Sequence, residues 1–192
     1  GVPFLVLKGA ALAHLVYDDP RLRPMRDVDL LVRPVDGERA LHVLIRCGFR
    51  PAGAVVPSRH HHLQAMATTE DGATVTIELH HELLVRTPFV RPRRYDDVIQ
   101  RCQPFEWGGV SYQTLGREDM LWHVYAHAFV INTLRLGAIR LLSVADLVHA
   151  TDAAARLLDA PDGGAWDASM PATRIGVRAL AERLTDVATT YR

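Results

Sequence analysis

Asp27-Val28-Asp29-Leu30-Leu31-Val32 is the stretch whose reading decides the fold. Its first four residues alternate polar and apolar, and successive side chains of a strand point to opposite faces. A strand here puts both carboxylates on one face and Val28 and Leu30 on the other. Upstream, Phe4-Leu5-Val6-Leu7 is a continuous apolar run of strand type, ended by Lys8-Gly9 before the helix-forming segment Ala10 to Tyr17. Between these lies Asp18-Asp19-Pro20-Arg21-Leu22-Arg23-Pro24, whose two prolines and four charges predict a solvated loop. Downstream, residues 36 to 47 carry Ala40, Leu41, Val43, Leu44 and Cys47 at helical spacing, closed by Gly48. The early order is therefore β-α-β-α.

Further along, Leu63 to Thr68 reads as a strand and Asp71-Gly72 as a hairpin turn before Thr74 to His80. In that last strand the odd-numbered residues are apolar, so Glu78 shares its face with Thr76 and His80. Trp107-Gly108-Gly109-Val110 predicts one more hairpin. From Arg117 the pattern is helical, with Met120, Leu121, Val124, Tyr125, Ala128 and Phe129 as one stripe. A second helix is predicted over Ile139 to Leu158 and, after the break Pro161-Asp162-Gly163-Gly164, a last one from Pro171 toward Thr189. This outlines an α+β chain with an α/β-like portion at residues 1–115 and a helical portion at 116–192.

The composition, 48% hydrophobic, 23% charged and 7% aromatic over 192 residues, excludes disordered and disulfide-stapled classes. Lys+Arg and Asp+Glu are 22 each, so a polyanionic partner must be held by a local cluster, and long nucleic acid is disfavoured. Val2 to Leu7 is about a third of a membrane span. Cys47 and Cys102 read as free thiols, which fits a cytoplasmic setting. The start at Gly1, running straight into a strand, points to residues upstream.

The residues that carry chemistry form one constellation. Lys8-Gly9-Ala10 stands at a strand-to-helix turn, Asp27 and Asp29 open the second strand, and Glu78 lies in a later one. Three carboxylates on neighbouring strands can hold two divalent cations about 3.5–4 Å apart, and magnesium favours such oxygen-rich settings, completed by water and phosphate. The glycine lets backbone approach a phosphate at the positive end of a helix. Lys8 is the one lysine among 22 Lys and Arg residues, a compact charge suited to phosphate or an ordinary surface residue. Arg23 and Arg26 can clamp a triphosphate or neutralise Asp27 and Asp29.

Leu7-Lys8-Gly9, Arg23 to Arg26, Asp27-Val28-Asp29-Leu30-Leu31-Val32 and Glu78-Leu79-His80 together resemble the nucleotidyltransferase-fold superfamily of the polymerase-beta type, and especially its large uncharacterised bacterial branch. The likeness covers about residues 4 to 82. It implies a small mixed sheet flanked by helices, followed by a helical bundle. It also implies an enzyme that uses Mg2+ (or Mn2+) and a nucleoside triphosphate, passes a nucleoside monophosphate to an unidentified acceptor and releases pyrophosphate. In that likeness Asp27 and Asp29 are the metal-bridging pair, and Glu78 is the third acid, which also helps activate the attacking hydroxyl. Lys8, Gly9, Ala10, Arg23 and Arg26 bind the nucleotide, and His80 is a candidate for the substrate cleft. The broader superfamily has Gly-Ser or Gly-Gly where this chain has Gly9-Ala10, so phosphate contact there falls to the backbone.

Two other readings compete. One is a non-catalytic relative that binds nucleotide or a partner protein through the same cleft. The other is a histidine-based metal hydrolase built on His123, His127, Asp146 and His149, the first two sharing a helix face. His60-His61-His62 reads as a solvated loop that can line the substrate cleft.

Overall fold

The computed structural model describes residues 1–51, 62–68, 73–85, 91, 93–131 and 141–158. In chain order the elements are β1 (Leu5–Val6), α1 (Lys8–Leu15), β2 (Asp27–Leu31), α2 (Gly37–Arg46), β3 (Arg50–Pro51), β4 (His62–Thr68) and β5 (Thr74–His80). They continue with α3 (Tyr95–Val98), β6 (Gln103–Trp107), β7 (Val110–Thr114), α4 (Arg117–Tyr125), a π-helical segment at Ala126–Ile131, and α5 (Leu141–Leu158). The seven strands form one mixed sheet in the order β3-β4-β5-β2-β1-β7-β6. β2 runs parallel to β5 and β1 parallel to β7, while the remaining neighbours are antiparallel. The fold class read from the sequence, a mixed sheet flanked by helices, is the one observed.

Each face of the sheet carries its own apolar cluster, as alternation requires. Ile77 and Leu79 of β5, with Ala65 of β4, pack under Ala40 and Leu41 of α2. On the opposite face Leu31 joins Leu5, Leu7, Leu12 of α1, Met120 and Val124 of α4, and Leu147 of α5. Fully burying such leucines stabilises the fold by about 1.5–3 kcal/mol each. The carboxylate face of β2 thus runs from an apolar end at Leu31 to an exposed end at Asp27.

Several turns have the chemistry the sequence announced. Gly108 and Gly109 both have positive φ, +61° and +75°, the conformation a two-residue hairpin loop with right-handed twist needs, and Trp107 pairs with Val110 across it. Gly48, at φ +91°, ends α2. Asp119, in the first turn of α4, is 2% exposed and receives Arg93 and Arg101, which fasten that helix end to the segment before β6.

Some bounds differ from expectation. α1 starts at Lys8 instead of Ala10, with Lys8 at φ +33°, and ends at Leu15, so Tyr17 lies beyond it. Tyr125 is exposed and rests on Phe129, at the edge of the buried stripe formed by Met120, Leu121 and Val124. The helix expected over Ile139 to Leu158 is α5 from Leu141. The Asp71-Gly72 turn, His60 and His61, the break at Pro161 and the helix from Pro171 lie outside the described residues. Cys47 and Cys102 are free thiols. Among the described residues no helix is long and apolar enough to cross a membrane.

His123 of α4 is fully buried and, among the described residues, neither ring nitrogen has a hydrogen-bond partner. Burial, then the nearby Lys8 charge and His127, push its imidazole well below the ordinary value of 6.5. The folded chain therefore holds a neutral ring that the unfolded chain protonates. Stability should be complete above about pH 6.5 and fall, by up to about 1.4 kcal/mol per pH unit, as the pH drops below it. Denaturant unfolding at stepped pH should show this slope in the wild type and a shallower one in His123→Leu.

Candidate active site

The site begins with strand pairing. β2 and β5 are parallel neighbours in a register that sets Asp29 against Glu78 and Asp27 against Thr76. Alternation then places Asp27, Asp29, Glu78 and His80 on one face, in the fourth and third strands of the sheet. From β1 the Leu7 amide donates to the Asp29 carbonyl at 2.8 Å, and the chain turns at once into α1. The first turn of that helix, with its unpaired N–H groups, therefore starts beside the acids.

Asp29 is 5% exposed, and its Oδ1 accepts two hydrogen bonds, from Lys8 Nζ at 3.2 Å and from His80 Nε2 at 2.6 Å. His80 Nε2 also lies 3.4 Å from Glu78 Oε2. Burial alone would raise the Asp29 pKa, but the Lys8 charge and the His80 hydrogen bond outweigh it and hold the carboxyl below the usual carboxylate range. His80 is the mirror case, since burial opposes its charge while the bonds to Asp29 and Glu78 raise its pKa. Asp27 is raised, first by the partial loss of solvent around its carboxyl and then by the negative charges of Asp29 and Glu78. The Lys8 backbone occupies the left-handed region, which costs a non-glycine residue about 1–2 kcal/mol and is held here by the ion pair to Asp29.

All of these residues except His80 border a cleft of about 370 Å³. One wall is Lys8, Gly9, Arg23, Arg26, Asp27, Asp29 and Glu78; the other comes from the C-terminal helices through Val124, His127, Leu142, Ser143 and Asp146. Arg26 is exposed and has no side-chain partner among the described residues. Arg23 is buried and paired with Asp146, Nε to Oδ1 and Nη2 to Oδ2, both at 2.7 Å. Tyr17 adds its hydroxyl to Asp146 Oδ1 at 2.8 Å.

The structure thus gathers seven of the sequence-derived site residues at one cleft. Two stand apart from its lining. Ala10 has its side chain in the core of α1 at 1% exposure, so it can offer only its backbone. His80 is 4% exposed and, instead of facing the cleft, stands behind the acids and holds Asp29. The pairing of Arg23 with Asp146 instead of Asp27 or Asp29 was invisible in the sequence, because 123 residues separate the partners.

Among the described residues the one group of three potential metal ligands that converges is Asp29, Glu78 and His80, with ligand atoms within 4.8 Å of one another. The histidine set does not assemble. His123 and His127 meet edge to face at 6.4 Å between ring centroids, Asp146 is taken by Arg23 and Tyr17, and His149 packs on the Tyr17 ring at 4.3 Å.

A central Asp-x-Asp strand beside a parallel Glu strand, with a Lys-Gly turn opening a helix against it, brings together the residues through which the sequence resembles the nucleotidyltransferases. The family described as Uncharacterised nucleotidyltransferase matches residues 1–174, and the chain belongs to it. Among solved structures, the antibiotic-resistance factor ANT(2'')-Ia shares the fold at a TM-score of 0.53 and 12% identity, over 99% of this chain and 85% of that one. A lincomycin-bound lincosamide antibiotic adenylyltransferase, LnuA, is similar at 0.49 and 11%, over 79% and 87% of the two chains. An antigenic nucleotidyltransferase-like protein from Paracoccidioides brasiliensis is similar at 0.49 and 17%, over 84% and 82%. No curated protein matches the chain.

Gly9 has a packing reason to be glycine. A Cβ there would fall 2.7 Å from Arg23 Nη1 and 3.4 Å from its Cζ. That guanidinium is anchored at two points and cannot yield freely. Gly9→Ala should lower unfolding free energy by about 1–3 kcal/mol, measured by denaturant titration, with the Arg23–Asp146 pair displaced in its structure.

Proposed function

We propose that the protein transfers a nucleoside monophosphate from a nucleoside triphosphate to an acceptor hydroxyl or phosphate, with Mg2+ (or Mn2+) as cofactor and pyrophosphate as product. The observation that carries this reading is the register pair Asp29 and Glu78 on adjacent parallel strands, with Asp27 on the same face at the open end. The donor set fits a divalent cation. Asp27 shares its face with Asp29 and Glu78, whose negative charges add to partial burial in raising its pKa, and oxygen-rich sites of this kind suit magnesium. Asp27, Asp29 and Glu78 would hold the ion, which when bound supplies neutralising charge to the phosphates.

The remaining work falls to the chain itself. Lys8 Nζ, the backbone at Gly9 and Ala10, and the guanidinium groups of Arg23 and Arg26 bind the triphosphate along the first wall, where their positive charge meets the growing negative charge of the leaving pyrophosphate. Glu78 Oε2 takes the proton of the acceptor hydroxyl as it attacks the α-phosphorus in line. Positioning and charge neutralisation supply most of the acceleration in such transfers. Residues 1–115 form the catalytic part in this reading. The C-terminal part, 116–192, provides the second wall in this reading through Val124, His127, Leu142 and Ser143 and thereby selects the acceptor. Free thiols and a triphosphate substrate fit a cytoplasmic enzyme.

Calorimetry with ATP, GTP, CTP and UTP, with and without magnesium, tests this directly. Binding should require the metal and should vanish in Asp27→Ala/Asp29→Ala, whereas binding that persists in the double variant would remove the site from the acids. Glu78→Gln should retain nucleotide binding and lose about 10²- to 10⁴-fold in pyrophosphate release once an acceptor is supplied.

A further inference from the structure

We propose that Asp146 is a positioning residue for the triphosphate: from α5 it fixes the Arg23 guanidinium so that its free edge is presented to a phosphate oxygen at the Lys8-Gly9 turn. The inference deepens the nucleotidyl-transfer reading above and rests on it.

A guanidinium has two edges that can form parallel hydrogen bonds. Asp146 occupies one of them, taking Nε and Nη2 at 2.7 Å each, in a pair whose two side chains are 9% exposed. The other edge ends in Nη1, which among the described residues has no acceptor. That nitrogen lies over Gly9, so closely that a Cβ there would stand 2.7 Å from it. The Tyr17 hydroxyl on Oδ1 removes the remaining freedom of the carboxylate. Although the side chain as a whole is largely buried, Nη1 is not one of the described buried polar atoms left without a partner, and Arg23 lines the cleft, so this edge is open to what enters there. An Arg whose open edge faces the cleft beside Lys8 and the first turn of α1 is well built to receive an anion.

The two roles differ in a measurable way. A staple would affect every nucleotide alike, whereas a positioned phosphate donor affects ATP more than AMP. The experiment is calorimetric titration of the full chain with ATP and AMP in magnesium, using the wild type, Asp146→Asn, Asp146→Glu, Arg23→Lys and the Arg23→Lys/Asp146→Asn pair. Asp146→Asn should weaken ATP about 10-fold and AMP by less than about threefold, the size of one charge-assisted hydrogen bond made less well. Asp146→Glu should recover part of the loss, and Asp146→Asn should add little once Arg23 is Lys.

ATP affinity unchanged in folded Asp146→Asn, or ATP and AMP weakened equally, would overturn the role of Asp146. If Asp146→Asn fails to fold, Tyr17→Phe carries the same comparison, with ATP affinity about two- to threefold lower than wild type expected and equal affinity overturning the role. A wild type that binds no nucleotide would overturn the functional reading as well, so the two failures are distinguishable.

Discussion

Burying the Asp29 carboxylate is the constraint from which the rest of the site follows. An ionised acid in a sheet interior is strongly unfavourable unless it is paired and hydrogen-bonded. Here one oxygen, Oδ1, receives both an ammonium and an imidazole. To bring the ammonium there, the chain must leave β1 and begin α1 within one residue, which forces Lys8 into a left-handed backbone. To bring the imidazole, β5 must lie beside β2 in the register that pairs Leu31 with His80 and Asp29 with Glu78. The same pairing that pays for the buried acid delivers the second carboxylate and the helix terminus to one place.

The preference for lysine at this turn has a physical basis. A compact ammonium can reach one carboxylate oxygen and leave the second free, whereas an arginine fork tends to take both. At the cleft Arg23 occupies both oxygens of Asp146, whereas the lone lysine takes only Oδ1 of Asp29. The two paired cations at the cleft thus differ in kind with the number of carboxylate oxygens each one engages.

Much of the first wall was legible in the sequence because local pattern determines it. Alternation in Asp27 to Leu30 and Thr74 to His80 gave the faces, and Lys8-Gly9 between an apolar run and a helical segment gave the turn. The two-glycine hairpin at Gly108 and Gly109 was equally local. What could not be read is whatever depends on long-range packing. The parallel partnership of β2 with β5 is set by the sheet order, not by either strand alone. Asp146, Val124, His127, Leu142 and Ser143 reach the cleft from helices whose patterns announce only a buried stripe. His80 shares the face of Glu78 as alternation requires, yet its depth behind Asp29 comes from the sheet's neighbours.

The division of labour between the walls follows from the same distinction. The acids and the turn lie on adjacent strands and a helix that starts between them, so their geometry is fixed by backbone hydrogen bonds and tolerates little variation. The opposite wall is carried by helices that meet the first mainly through side chains, the Arg23–Asp146 pair and the apolar cluster shared by Leu12, Val124 and Leu147. Side-chain contacts can be exchanged without disturbing a sheet, so that wall can change its lining while the acid-bearing half keeps its form. A pair such as Arg23 and Asp146 is then the point where the helical wall is registered to the strand wall, and a buried, two-point, charge-assisted contact sets that position more narrowly than a looser apolar one.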